Sequence, residues 1–258
     1  MEKITGKNND LIKDIKKLLS SSKERKLRNA FVIEGARLVF DVLNSVINVK
    51  VFLVTDTVMQ KYPESCQAMI ERAKKSYIIS EEISDKLSET QNSQGIFAVC
   101  AMQANHFALN IHSHYIALDH VQDPGNFGTI IRTAEALGID GMITFGGCDV
   151  YNPKVLRSSM GSVLRMNIMH SDNLADTINA LRSMGMRVYA TSPDSSAKNI
   201  TQIDFSNGAV CVIGNEANGI SAEVKNCCND LVTIKMLGKA ESLNASVAAA
   251  ITMWEMLR

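Results

Sequence analysis

Three short polar stretches in the second half of the chain carry the side chains best suited to chemistry. They are Asp123-Pro-Gly-Asn126-Phe-Gly-Thr-Ile-Ile-Arg132-Thr-Ala-Glu135, then Ile213-Gly214-Asn-Glu216-Ala-Asn-Gly219, then Ile234-Lys235-Met236-Leu-Gly-Lys-Ala-Glu-Ser242-Leu243-Asn244. In the first, Pro124-Gly125 makes a turn, Asn126 tolerates unusual backbone angles, and Arg132 lies one to two turns into a helix ending at Gly138, from where it can point back toward the strand ends. In the second, Gly214 and Gly219 allow a backbone to approach a ligand closely, with Glu216 between them. In the third, Ser242 and Asn244 stand just before a helical run from Ala245 to Leu257. Each stretch alone also has a plain structural reading: a turn residue with a surface arginine, a glycine-rich turn, an N-cap.

Two common phosphate cradles and one hydrolase motif are excluded. No two glycines are separated by a single residue, so the dinucleotide fingerprint is absent, and the Gly-Lys pairs at Gly6 and Gly238 lack the surroundings of a Walker loop. A G-x-S-x-G elbow is also missing. His112-x-His114, with His120 nearby, could be drawn as a metal site, but the surrounding segment contains no Cys, Asp or Glu, and no metal is expected.

Each of the three stretches follows an apolar run, so strands must present them. Strands are expected at Tyr115–Leu118, Gly141–Phe145, Arg165–Met169, Arg187–Ala190, Ala209–Ile213 and Leu231–Ile234, with helices between them. Such alternation predicts a parallel sheet covered on both faces, with ligands beyond the carboxyl ends of its strands, where all three stretches fall. The first hundred residues alternate too: a strand from Phe31, a helix over Ala36–Leu43, a strand over Val49–Thr55, a helix from about Cys66 to Lys75, strands at Tyr77–Ser80 and Gly95–Met102. The expected organisation is a small α/β domain over 1–103, a linker over 104–114 without clear periodicity, and a second α/β domain over 115–258.

Charge and composition narrow the class. Residues 1–28 hold nine Lys or Arg against four acids, a surplus of +5 that the rest of the chain balances with −5. A basic segment on a slightly acidic body suits phosphate contacts, although Leu11, Ile12, Ile15, Leu18 and Leu19 at helical spacing equally suit a helix with a solvated lysine face. Six scattered cysteines without C-x-x-C spacing read as reduced core residues. Met1-Glu-Lys-Ile-Thr5 lacks the apolar stretch of a signal peptide and no run is long enough to span a membrane, so the expected location is the cytoplasm, with no membrane partner. The helix from Ala245 to Leu257 is apolar except for a stripe of Ser246, Thr252 and Glu255, so it is either a central core helix or one that also meets a second copy of the chain.

Taken together in order, the three stretches over about 115–258 resemble the motifs of the SpoU (TrmH) family of RNA 2′-O-ribose methyltransferases, within the SPOUT superfamily. The first hundred residues, with Phe31-Val-Ile-Glu-Gly35, look like the RNA substrate-binding domain that often precedes that catalytic domain. The resemblance implies a deep trefoil knot in the carboxyl-terminal domain, whose knot loops are the second and third stretches. It implies S-adenosylmethionine as cofactor, held by Gly214, Ile234 and Leu243 through the main chain, with Met236 and Glu216 in the same pocket. It places Asn126, Arg132, Glu216, Ser242 and Asn244 around the reaction centre and implies a homodimer in which Arg132 meets the other subunit's cofactor. Arginine is a poor base, its pKa exceeding about 12, so Arg132 is expected to orient the hydroxyl or a phosphate and stabilise a developing alkoxide. The proton acceptor stays open, with Glu216 a candidate. Ribosomal RNA is the expected target, with transfer RNA or a catalytically silent RNA-binding module as alternatives, and an antibiotic-resistance role is one form the ribosomal reading can take. In one departure, Lys235 stands where the family usually has proline, which either loosens the loop or brings a charge near the cofactor.

Overall fold

The computed structural model describes residues 1–6, 9–89, 93–103, 107–194 and 196–258. Lys7 of the basic segment and residues 104–106 of the expected linker lie outside the described residues. The chain forms two compact units, Met1–Gln103 with Tyr151–Arg157, and Ala104–Val150 with Ser158–Arg258.

The first unit has five strands, β1 (Glu2–Ile4), β2 (Ala30–Glu34), β3 (Val49–Val54), β4 (Lys75–Ile79) and β5 (Ile96–Ala101), in the order β1-β4-β3-β5-β2. Its helices are α1 (Asp10–Ser20), α2 (Ser22–Arg28), α3 (Ala36–Asp41), α4 (Asp56–Lys61), α5 (Pro63–Arg72) and α6 (Glu81–Leu87). Helix α1 starts where the Asn9 side chain accepts from Leu11 N–H at 2.9 Å, and its Ile12, Ile15, Leu18 and Leu19 are buried against Val32, Leu53 and Phe97. Much of the basic surplus is spent internally. Arg25 is buried and donates to the Leu18 and Leu19 carbonyls at 2.7 and 3.0 Å, satisfying the end of α1, while Lys13, Lys17 and Arg28 pair with Asp10, Asp14 and Glu24. Among the described residues of α1 and α2, Lys16, Lys23 and Lys26 have no ion pair. The helix expected from Cys66 begins earlier, with Pro63 in its first turn, and ends at Arg72, so that Lys75 already belongs to β4.

The second unit runs β6 (His114–Asp119), α7 (Pro124–Leu137), β7 (Gly141–Phe145), α8 (Pro153–Ser158, its residues to Arg157 clustering with the first unit), β8 (Ile168–His170), α9 (Leu174–Ser183), β9 (Val188–Thr191), β10 (Lys198–Asn199), β11 (Ala209–Ile213), α10 (Ala222–Cys227), β12 (Asp230–Thr233) and α11 (Ala245–Leu257). Its seven strands form a parallel sheet in the order β10-β12-β9-β11-β6-β7-β8. The chain steps outward from β6 to β8 and then crosses to build the other half, so the order reverses between the adjacent strands β6 and β11. Their carboxyl ends are therefore the place where an open parallel sheet offers a crevice. All five residues of β11 are buried, as a central strand covered on both faces requires. Strand β8 starts three residues later than expected because Ser162–Leu164 makes a 3₁₀ turn and Met166 N–H bonds back to the Ser162 carbonyl at 2.9 Å. Cys66, Cys100 and Cys211 are buried, and burial pushes the Cys100 thiol up to about 12; Cys148, Cys227 and Cys228 are only half-buried. Among the described residues, no helix is long and apolar enough to cross a membrane.

Candidate functional site

The loop after β6 and the loop after β11 are locked together. Asp123 caps α7 by accepting from Asn126 N–H at 2.7 Å, which fixes the turn that carries Asn126. Across from it, the Glu216 carboxylate accepts from the backbone N–H groups of Gln122 and Asp123 and from Asn126 Nδ2, each at 3.1 Å. Asn215 adds a second tie, donating from Nδ2 to the His120 carbonyl at 2.8 Å, while its Oδ1 accepts from Ala217 and Asn218 N–H at 3.0 Å. A pair of backbone bonds between Asn215 and Gly219, 2.9 Å each way, closes the loop on itself.

The third stretch joins this arrangement through one residue. Asn244 caps α11 with Oδ1, accepting from Ser246 and Val247 N–H at 2.9 and 3.3 Å, and its Nδ2 donates to Asn126 Oδ1 at 2.9 Å. A single chain thus runs from Asn244 to Asn126 to Glu216, and every amide end in it has an assigned role. Asn244 is an N-cap, as one of its readings from sequence had it, and it also connects the third stretch to the first.

Between the second and third stretches lies a cavity of about 430 Å³, lined among others by Gly214, Glu216, Ile234, Met236, Ser242 and Leu243. Its size and mixed lining suit a small polar ligand with an apolar body. At Gly214 an added Cβ would stand 2.2 Å from the Gly219 carbonyl carbon and 2.3 Å from Ile220 N, so only glycine lets these two strands of the loop close at the cavity wall. A nucleoside-sized sulfonium cofactor suits a cavity of this volume, whose lining includes the carboxylates of Glu216 and Glu241. Thr191 at the end of β9, Ser192 and Pro193 just beyond it, and Lys225 of α10 also line the cavity. Sequence reading missed them, although their position beyond a strand end was a usable signal.

The hydrogen bonds around Glu216 bear on its protonation. Burial works to raise its pKa, but the hydrogen bonds from Asn126 and from the Gln122, Glu216 and Asp123 N–H groups outweigh it and hold the carboxyl below its ordinary value. Both oxygens accept hydrogen bonds, so Glu216 ties the loop after β11 to the loop after β6. Arg132 is exposed on α7 outside the cavity lining, and its guanidinium has no partner among the described residues. Ser242 is exposed at the cavity with its hydroxyl also unpartnered among the described residues. Lys235 is exposed and absent from the cavity lining, whereas its neighbours Ile234 and Met236 form part of it. His114 Nε2 meets the Phe205 carbonyl at 3.0 Å and His120 Nδ1 meets Asp119 Oδ1 at 2.7 Å, and among the described residues no cluster of metal-ligating side chains occurs.

On α11, Ala245, Ala249, Thr252, Met253 and Met256 are buried, and the helix packs on α7. Thr252, part of the expected polar stripe, is fully buried, while Val247, Trp254 and Leu257 are exposed, Trp254 to 61%.

Comparison with known proteins gives the same picture over the whole chain. Residues 113–254 match the model of the SpoU rRNA Methylase family, and residues 9–98 match the MRM3-like substrate binding domain. The 23S rRNA (guanosine(2553)-2′-O)-methyltransferase RlmP of Bacillus subtilis is 35% identical over 257 residues, covering 99% of each chain. Among solved structures, an AdoMet-bound rRNA methyltransferase from Sinorhizobium meliloti superposes with a TM-score of 0.88 at 29% identity, covering 99% of this chain and 97% of the other. The SpoU methyltransferase AviRb from Streptomyces viridochromogenes, in complex with AdoMet, superposes with a TM-score of 0.86 at 26% identity and covers 97% of each chain.

Proposed function

The chain belongs to the SpoU rRNA methylase family, and from that premise we propose how its own residues divide the work. It is an S-adenosylmethionine-dependent RNA 2′-O-methyltransferase. The target we assign is ribosomal RNA, the substrate named for its relatives. When bound, S-adenosylmethionine supplies an electrophilic methyl group on a sulfonium sulfur. Gly214, Ile234 and Leu243 hold its adenosine part through the main chain, and Met236 gives the cavity an apolar wall. Ser242 has a free hydroxyl at the cavity, suited to contact the cofactor or the ribose.

Arg132 carries the substrate side. A guanidinium stays charged at any working pH, so it orients a ribose hydroxyl or neighbouring phosphate and stabilises negative charge developing on the 2′-oxygen. Asn126, held by Glu216 and Asn244, keeps the first turn of α7 in place against the cofactor loops. The chain of bonds through these three residues is the observation that carries the assignment, because it makes one site of three separate stretches. Residues 1–103 serve as the RNA-binding domain, with Lys16, Lys23 and Lys26 available to phosphates, and 115–258 as the catalytic domain, threaded as a trefoil knot through the second and third stretches. The exposed Val247, Trp254 and Leu257 fall on one stripe of α11, which favours a homodimer in which Arg132 serves the other subunit's cavity. We place the protein in the cytoplasm, where ribosomal RNA is available.

The test uses ribosomal RNA extracted from a strain deleted for the gene. The purified protein is expected to bind S-adenosylmethionine by calorimetry and to restore a 2′-O-methyl group at a mapped nucleotide. Arg132→Ala should abolish transfer and leave cofactor affinity nearly intact; equal loss of both would move Arg132 to cofactor binding. Absence of both binding and transfer in the native protein would overturn the assignment.

A further inference from the structure

Arg132 shares α7 with one carboxylate, Glu135, which is three residues on and hence on the same helical face. An Arg–Glu pair at that spacing is a natural surface ion pair, and forming it would give the guanidinium a permanent partner. The structure shows a different arrangement. Glu135 Oε1 accepts from Arg165 Nε at 2.9 Å and Oε2 accepts from the Ser162 hydroxyl at 3.1 Å. The Arg165 guanidinium beside it holds the Glu135 carboxyl below its ordinary value, helped by the Ser162 hydroxyl against the effect of burial. The same segment reaches the other end of the helix, where the Ser158 hydroxyl donates to the Pro124 carbonyl at 2.9 Å. Residues 158–165 therefore bracket α7 on either side of Arg132, touching its first turn and its last.

From this geometry we propose that Arg165 and Ser162 are positioning residues that draw Glu135 away from Arg132 and so leave its guanidinium free for RNA. The proposal rests on the substrate-side role given to Arg132 above. Its physical basis is the competition between two cations for one carboxylate. Arg165 reaches Glu135 from a separate segment, and Ser162 binds the second oxygen, so each carboxylate oxygen already accepts a hydrogen bond from that segment. With that clamp removed, the nearest cation along α7 is Arg132. A carboxylate seated on Arg132 would meet the phosphate and the developing alkoxide as a like charge, in an interface from which bound RNA excludes much of the screening water.

The decisive variants are Arg165→Ala, Glu135→Gln and the double substitution, assayed with ribosomal RNA from the deletion strain and with S-adenosylmethionine binding followed by calorimetry. Arg165→Ala is expected to lower kcat by about tenfold or more, about 1.4 kcal/mol in the barrier, while cofactor affinity and Tm stay near native. Glu135→Gln, whose neutral amide forms no ion pair with Arg132, should keep native kcat, and adding it to Arg165→Ala should restore activity. A bridge that merely stabilised the fold would lower Tm in Arg165→Ala together with kcat. The proposal is overturned if Arg165→Ala keeps native kcat, if its kcat loss follows its Tm, or if the double variant is as slow as the single. A crystal structure of Arg165→Ala reads the same point without activity. Glu135 turned onto Arg132 supports the clamp, and Glu135 left facing residues 158–165 removes it. An inactive native protein would sink the role of Arg132 in methyl transfer, yet the crystal structure would still decide the clamp.

Discussion

At the scale of single residues, the site is governed by which polar atoms are already spoken for. Glu216 has both oxygens committed to donors from the β6–α7 loop, and Asn126 has both ends of its amide committed, whereas Arg132 and Ser242 are unpartnered among the described residues. The committed groups build the site and the free ones are available to react or bind. This distinction was invisible in the sequence, where all of them were merely polar residues in conspicuous loops. It also gives Glu216 a pH signature. Its folded pKa is depressed, so the stability it contributes is present above its unfolded value of about 4.3 and is lost as pH falls through the lower folded value. Glu216→Gln replaces one acceptor oxygen by a donor that faces donors. At neutral pH it should cost at most about 1 kcal/mol, because the residue is exposed and solvent screens its bonds. In a chain of this length that corresponds to a fall of at most about 2–4 °C in Tm. Native and variant Tm values measured down the pH scale should converge in acid; a gap that stays constant to low pH would mean that the ionised carboxylate is not what holds the loops together.

At the scale of elements, backbone shape decides how well each loop can be read in advance. The central strands β6, β7, β9 and β11 were readable to within a residue or two because long apolar runs between glycine and polar turns leave a strong signal. Strands β1 and β10 were not, since three and two residues on a sheet edge are too short to show any period. The displaced start of β8 has a tertiary cause, the 3₁₀ turn at Ser162–Leu164, and that turn also supplies the Glu135 clamp that sequence motifs did not reveal. Gly214 and Gly219 looked equivalent in the sequence, but the structure separates them. Gly214 is needed for close approach, with backbone atoms at 2.2 and 2.3 Å from any Cβ, whereas Gly219 has open space around it and is needed for its φ of +66°. Gly214→Ala should therefore displace the cavity wall and weaken S-adenosylmethionine binding by about tenfold or more. Gly219→Ala should cost about 1–2 kcal/mol of stability through left-handed strain and weaken binding less. Calorimetric titration of both variants checks this, and equal losses of affinity would show that loop strain, not crowding at Gly214, shapes the cavity.

At the scale of the whole molecule, the site built by one chain is divided in space. The cavity residues Gly214, Ile234, Met236, Ser242 and Leu243 lie between the second and third stretches, while Arg132 is exposed on α7 outside the lining and the helix packed against α7 exposes Val247, Trp254 and Leu257. The proposed two-fold pair, in which each Arg132 completes the other subunit's site, accounts for both a free guanidinium outside its own cavity and an apolar stripe on the neighbouring helix. That arrangement makes a prediction no monomer can satisfy. Arg132→Ala removes the substrate-side cation and Gly214→Ala distorts the cavity, so at S-adenosylmethionine concentrations far below the Kd of the Gly214→Ala variant each homodimer should have little activity. A mixed dimer would hold one site with both defects and one with neither. Random pairing of equal amounts should then recover about a quarter of native activity, because half the dimers are mixed and each has one good site of two. Co-expression with distinct affinity tags isolates the mixed species directly. Mixed dimers of confirmed composition without recovered transfer would place Arg132 at its own subunit's cavity and leave the stripe on α11 without a catalytic purpose.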